Sequence, residues 1–131
     1  MSRILLIDDD HSLRSVVAKS LAHAGFEVVQ AEDGLQGIEL SRVATFDLII
    51  TDLIMPVQEG METIMVLRQE APNIPIIAIS GGLSNTRTYL DIAGKIGARR
   101  ILEKPFTTKE LLGLIEEVLA SPNQKNSPPA Q

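Results

Sequence analysis

Four short apolar runs constrain this chain more than any other feature: Ile4-Leu5-Leu6-Ile7, Leu48-Ile49-Ile50, Ile76-Ile77-Ala78-Ile79 and the stretch from Ala98 to Leu102. None of them alternates apolar with polar residues. A strand with water on one face alternates, so runs that do not alternate mark strands covered on both faces, as in a parallel sheet clad in helices. The more polar segment Phe26 to Ala31 predicts a fifth strand, placed at an edge.

Helical patterns separate these runs. Leu13, Val16, Val17, Leu21 and Ala24 recur at helical spacing, with Gly25 as a stop. Leu35 and Ile38 mark a helix over 34–43. Met61, Ile64, Met65 and Arg68 mark another, ending before Pro72, and Leu111, Leu114, Ile115, Val118 and Leu119 define the last, ending near Ala120. Residues 84–96 have a weak pattern and are assigned to a helix because a parallel connection needs a crossover. Strand and helix alternate five times, which predicts an α/β doubly wound parallel sheet. The chain's 131 residues make one domain, expected over 1–120. Residues 121–131 hold three of the seven prolines and no large apolar side chain, so they are expected to form a disordered tail.

Composition narrows the function. Cysteine is absent, which removes disulfides, thiolate metal sites and cysteine nucleophiles. Twelve basic and seventeen acidic residues leave a net charge of −5, a poor match for gripping nucleic acid through phosphates. No apolar run approaches the roughly 20 residues that span a bilayer, and the N-terminus lacks a signal-peptide pattern. A cytoplasmic protein with no membrane insertion is expected.

Chemistry gathers where the apolar runs end. Asp8, Asp9 and Asp10 follow the first, Thr51 and Asp52 the second, Ser80, Gly81 and Gly82 the third, and Glu103, Lys104 and Pro105 the fourth. In an open parallel sheet the carboxyl ends of the strands form one edge, where ligands bind. Taken in order, Ile7-Asp8-Asp9-Asp10, Thr51-Asp52-Leu53-Ile54-Met55-Pro56, Gly60, Ile79-Ser80-Gly81 and Lys104-Pro105-Phe106 resemble the receiver domain of two-component response regulators, over about residues 2–120.

That resemblance implies a flavodoxin-like (βα)5 fold with strand order 2-1-3-4-5, which sets the first and third strands side by side and brings Asp8, Asp9 and Asp52 together. Carboxylates so placed repel one another, and Mg²⁺, a hard cation that takes one or two carboxylates and keeps several waters, would offset that. The family's pattern makes Asp52 the phosphoacceptor. Asp9 matches a direct Mg²⁺ ligand, Asp8 a ligand through water, and Ile54 a ligand through its backbone carbonyl. Ser80 matches the hydroxyl that follows the phosphoryl group, and Lys104 the lysine that pairs with the acceptor. The Lys104–Pro105 bond is commonly cis in the family. The partners implied are a sensor histidine kinase or phosphotransfer protein and a downstream protein target.

Other residues carry plainer readings. Asp10 stands where a helix N-cap belongs. His11 and His23 read as exposed helix residues, and Met55, Met61 and Met65 as packing. Many receivers carry an aromatic residue three positions before the lysine; here it is Ile101, which presents neither a ring nor a hydroxyl. Arg99 and Arg100 replace a common acidic pair and read as solvated arginines, or as a positive patch on the surface of the last helices. Two other functions fit some of the pattern. Asp8-x-Asp10 has the spacing of a Mg²⁺-dependent aspartyl-nucleophile phosphohydrolase, and a receiver-like module that is never phosphorylated would keep the fold alone. A receiver cut from a longer regulator would read the same as a stand-alone switch.

Overall fold

The computed structural model describes residues 1–53, 57–81 and 97–120. The expected helix over 84–96, the tail at 121–131, and Ile54, Met55 and Gly82 lie outside the described residues. The elements run β1 (Arg3–Ile7), α1 (His11–His23), β2 (Glu27–Ala31), α2 (Gly34–Val43), β3 (Leu48–Asp52), α3 (Val57–Glu70), β4 (Ile76–Ser80), β5 (Arg100–Glu103) and α4 (Thr108–Leu119). The five strands form one parallel sheet in the order β2-β1-β3-β4-β5.

Side chains alternate between two cores because strand residues alternate in direction. Ile4, Leu6, Leu48, Ile50, Ile77 and Ile79 meet Val17 and Leu21 of α1 and Leu111 and Ile115 of α4. Leu5, Ile7, Ile49, Ile76 and Ala78 pack on the other face with Ile64 and Leu67 of α3. β3 and β4 are buried along their whole length, as unbroken apolar runs require. β2, with its Glu27 and Gln30, is the exposed edge that its polarity predicts.

Three helices start on side-chain caps. Asp10 accepts from the Leu13 N–H at 3.1 Å, as its position predicts. Asp33 accepts from the Gln36 N–H at 2.8 Å. Thr107 and Glu110 form a reciprocal capping box that starts α4 three residues before its first periodic leucine. Gly25, at φ +103°, ends α1 in the left-handed conformation that glycine adopts at least cost.

The structure corrects the sequence reading at the fifth strand. It spans Arg100–Glu103 rather than Ala98 to Leu102, and it is half-buried because it forms the other edge. Arg99 is not solvated. It is 4% exposed, its backbone N–H reaches the Ile76 carbonyl at 2.8 Å, and burial, then the neighbouring Arg100, lowers its guanidinium pKa. That backbone bond joins Arg99 to the edge of β4 before the strand begins, which holds the residue against the sheet. Arg100 remains partly exposed and pairs with Glu117 at 3.1 Å.

α2 sits close on the sheet. A Cβ added at Gly37 would collide with the Cδ1 and Cγ1 atoms of Ile7. Alanine there gains up to about 1 kcal/mol of helix propensity but overpacks a fully buried isoleucine. Gly37→Ala is therefore expected to lower stability by a net ~1–2 kcal/mol in urea unfolding. An unchanged or raised midpoint would show that α2 shifts at no cost.

A candidate acidic and lysine site at the carboxyl edge of the sheet

The backbone ladder continues one residue past the strands and sets the site's register. The Asp8 N–H donates to the Ala31 carbonyl at 3.1 Å, the Leu53 N–H to Ile79 at 2.7 Å, and the Lys104 N–H to Ser80 at 2.9 Å. Residues from four separate segments therefore meet at fixed heights along one edge.

Asp52 closes β3 and is 1% exposed; Asp8 is 4% exposed. Lys104 donates from Nζ to Asp52 Oδ2 at 2.9 Å, and the Lys104–Pro105 peptide is cis. Asp8 Oδ1 accepts from the Asp10 N–H at 2.9 Å. Burial pushes the Asp8 carboxyl up to about 6; the Asp10 N–H pulls it down, the Asp52 charge and hydrogen bond push it up, and Lys104 lowers it. Lys104 thus pairs directly with Asp52, and its charge also reaches Asp8.

The sequence reading expects a third acid here. Asp9 is instead exposed at the rim, and among the described residues no three acidic or imidazole side chains stand grouped as metal ligands. The chain order places Asp9 beside the pair but does not say which way its side chain turns. Ile54 and its carbonyl lie outside the described residues. The donor set still suits Mg²⁺, which needs no more than one or two carboxylates beside its waters.

Ser80 ends β4 with no exposure, and its hydroxyl has no hydrogen-bond partner among the described residues; the Thr51 hydroxyl is in the same state. Ile101 is half-buried and packs against the α3-side core. His11 and His23 are exposed, as expected, although a ring nitrogen of His11 lies 3.0 Å from Arg14. Beside Lys104, an apolar cavity of about 500 Å³ opens between α1 and the loop into α4, lined in part by Leu13, Val16, Phe106 and Leu111.

Sequence reasoning passes over Arg14, which is 7% exposed and donates to the Asp8 carbonyl at 2.6 Å. The signal was there. Arg14 follows Leu13 and precedes Val17 by three, so it stands on the buried face of α1, where a charge needs a reason.

A five-stranded parallel sheet with paired acids and a lysine at its carboxyl edge defines a class, and comparison with known proteins gives the family. Residues 4–116 match the model of the response regulator receiver domain. The chain belongs to that family, whose members serve two-component signalling. It is 35% identical over 119 residues to the transcriptional regulatory protein CpxR of Escherichia coli K12, covering 91% of this chain and 50% of that protein. The chain thus spans about half the length of that curated relative. Among solved structures it is similar to the Vibrio cholerae chemotaxis protein CheY4, with a TM-score of 0.79 and 32% identity over 90% of this chain and 98% of that one. It is also similar to the receiver domain of NtrX from Brucella abortus, with a TM-score of 0.82 and 26% identity over 90% and 98% of the two chains.

Proposed function

We propose that residues 1–120 form a phosphoacceptor switch in which Asp52 takes a phosphoryl group from a histidine kinase or phosphotransfer protein. The observation that carries this reading is the buried Asp52 carboxylate with the Lys104 ammonium at 2.9 Å and a second acid, Asp8, against it. An oxygen of Asp52 forms the new bond to phosphorus as the donor's P–N bond breaks, and the electron pair leaves with the donor imidazole. Lys104 sits where it neutralises charge on the transferring oxygens. Ser80 brings a hydroxyl with no hydrogen-bond partner among the described residues.

Asp8, Asp9, Asp52 and the Ile54 carbonyl would hold Mg²⁺. When bound, the ion screens the carboxylates and stabilises charge on the phosphoryl oxygens. The downstream target is a protein, reached in the cytoplasm. No helix of the described residues is long and apolar enough to cross a membrane. The phosphohydrolase alternative needs Asp8 and Asp10 as a working pair, and Asp10 is occupied as the cap of α1.

Incubation with acetyl phosphate and Mg²⁺, read by intact mass, tests the proposal. The wild-type chain is expected to gain one phosphoryl mass, with no gain for Asp52→Asn or in EDTA. If wild type gains no mass, beryllofluoride is added and the amide resonances of Asp52, Ser80 and Lys104 are followed. Silence in both assays overturns the proposal, and turnover of a small phosphomonoester would favour the hydrolase.

A further inference from the structure

Arg14 carries its guanidinium into the protein with no carboxylate paired to it among the described residues. Its guanidinium donates to three neutral acceptors: Nη1 to the Asp8 carbonyl at 2.6 Å, Nε to Gln30 Oε1 at 3.1 Å, and Nη2 to His11 Nδ1 at 3.0 Å. A buried charge held only by neutral groups is costly, and an apolar residue at this helix position would bury the same face without that cost. The arrangement calls for a reason other than packing.

The acceptor at 2.6 Å supplies one. The Asp8 carbonyl belongs to the peptide that joins Asp8 to Asp9. A peptide unit is planar, so fixing its oxygen fixes the direction in which the Asp9 N–H and Cα leave. The Asp8 N–H is already held by Ala31 and the Asp8 carboxylate by the Asp10 N–H. Arg14 adds a third anchor, at the one joint that orients both acids together. Gln30 on β2 braces the guanidinium from outside the helix. Asp9 is exposed, so few side-chain contacts restrict it and its aim depends on its backbone.

We propose that Arg14 is a positioning residue for the cation site: its fork of donors sets the Asp8–Asp9 peptide so that both carboxylates address one divalent ion. This rests on the cation-binding reading given above. Groups behind metal ligands commonly matter 10–100-fold in affinity. Arginine and lysine are not equivalent here, because only the planar fork reaches several acceptors at once.

The test uses Mn²⁺ and the full chain. Free Mn²⁺ is counted by electron paramagnetic resonance, which suits a protein with no tryptophan. Arg14→Lys keeps the charge and loses the fork; Arg14→Met keeps the stem only. Both are expected to bind Mn²⁺ about 10-fold or more weakly than wild type. The Asp9 and Asp10 amide resonances are expected to move in metal-free Arg14→Lys. Thermal unfolding in EDTA separates this from general weakening: a variant that melts earlier yet binds Mn²⁺ within twofold of wild type overturns the proposal. Should neither variant fold, Gln30→Leu decides. Removing the brace is expected to weaken Mn²⁺ binding severalfold, and unchanged affinity overturns the role. Wild type that binds no Mn²⁺, or Asp9→Asn and Asp52→Asn that bind it as well as wild type, would instead remove the cation reading itself.

Discussion

Asp8→Asn makes the metal-free protein more stable at pH 7.5, by about 2–3 kcal/mol. The folded carboxyl titrates at about 6, against 3.8 for its ordinary value, chiefly because it is buried. Between roughly pH 4 and 6 the folded state therefore binds more protons than the unfolded state, and stability falls as pH rises. Below that window the acid is neutral in both states and the penalty is absent; above it the penalty is complete. Asparagine stays neutral throughout and can still accept from the Asp10 N–H. The measurement is urea unfolding of both proteins in EDTA at pH 4, 5, 6 and 7.5. The gap should open across the window and narrow when Mg²⁺ is added. Parallel stability curves would show that Asp8 is not strained in the resting protein.

Lys104→Met acts in the opposite sense. It leaves Asp52, 1% exposed, without the ammonium that stands 2.9 Å away, and Asp8 without the charge that moderates its shift. Removing one member of a buried pair takes an opposite charge away from the other. With the lysine side chain 20% exposed, so that water screens part of the interaction, the expected loss is about 2–4 kcal/mol at pH 7.5 in EDTA. At pH 5, where Asp8 is mostly protonated, the loss should be smaller, and Mg²⁺ should restore part of it at neutral pH. A variant as stable as wild type at pH 7.5 would mean that the pair contributes no net stability.

Much of this was legible in the sequence because the signals are local. A run such as Ile76-Ile77-Ala78-Ile79 can be satisfied in few ways, and Asp10 before a helical pattern caps it. Strand order is not local, and it came from the family resemblance, not from periodicity. The acidic and lysine residues could be placed at one edge because strand ends share an edge. Their individual aims could not: Asp9 turns to solvent while Asp8, one residue earlier, is buried. The misreadings have a common origin. Arg99 reads as a surface cation and Arg14 attracts no reading at all, because charge is usually solvated, yet both are buried. Only the three-dimensional neighbours of Arg14, a carbonyl, an amide and a ring nitrogen from separate positions, show why its charge is tolerated.

The site's charge balance is spread along the chain in an order that bears on how the protein assembles. Asp8 and Asp52 come together when β1 pairs with β3, both in the first half of the chain. Lys104 follows β5, the last strand in the chain and the one at the far edge. The pairing of β1 with β3 alone would therefore bring the two acids together without Lys104. Non-local strand pairing already slows parallel folds. The charge balance at the end of β3 is thus completed by a residue that follows the edge strand β5, far along the chain.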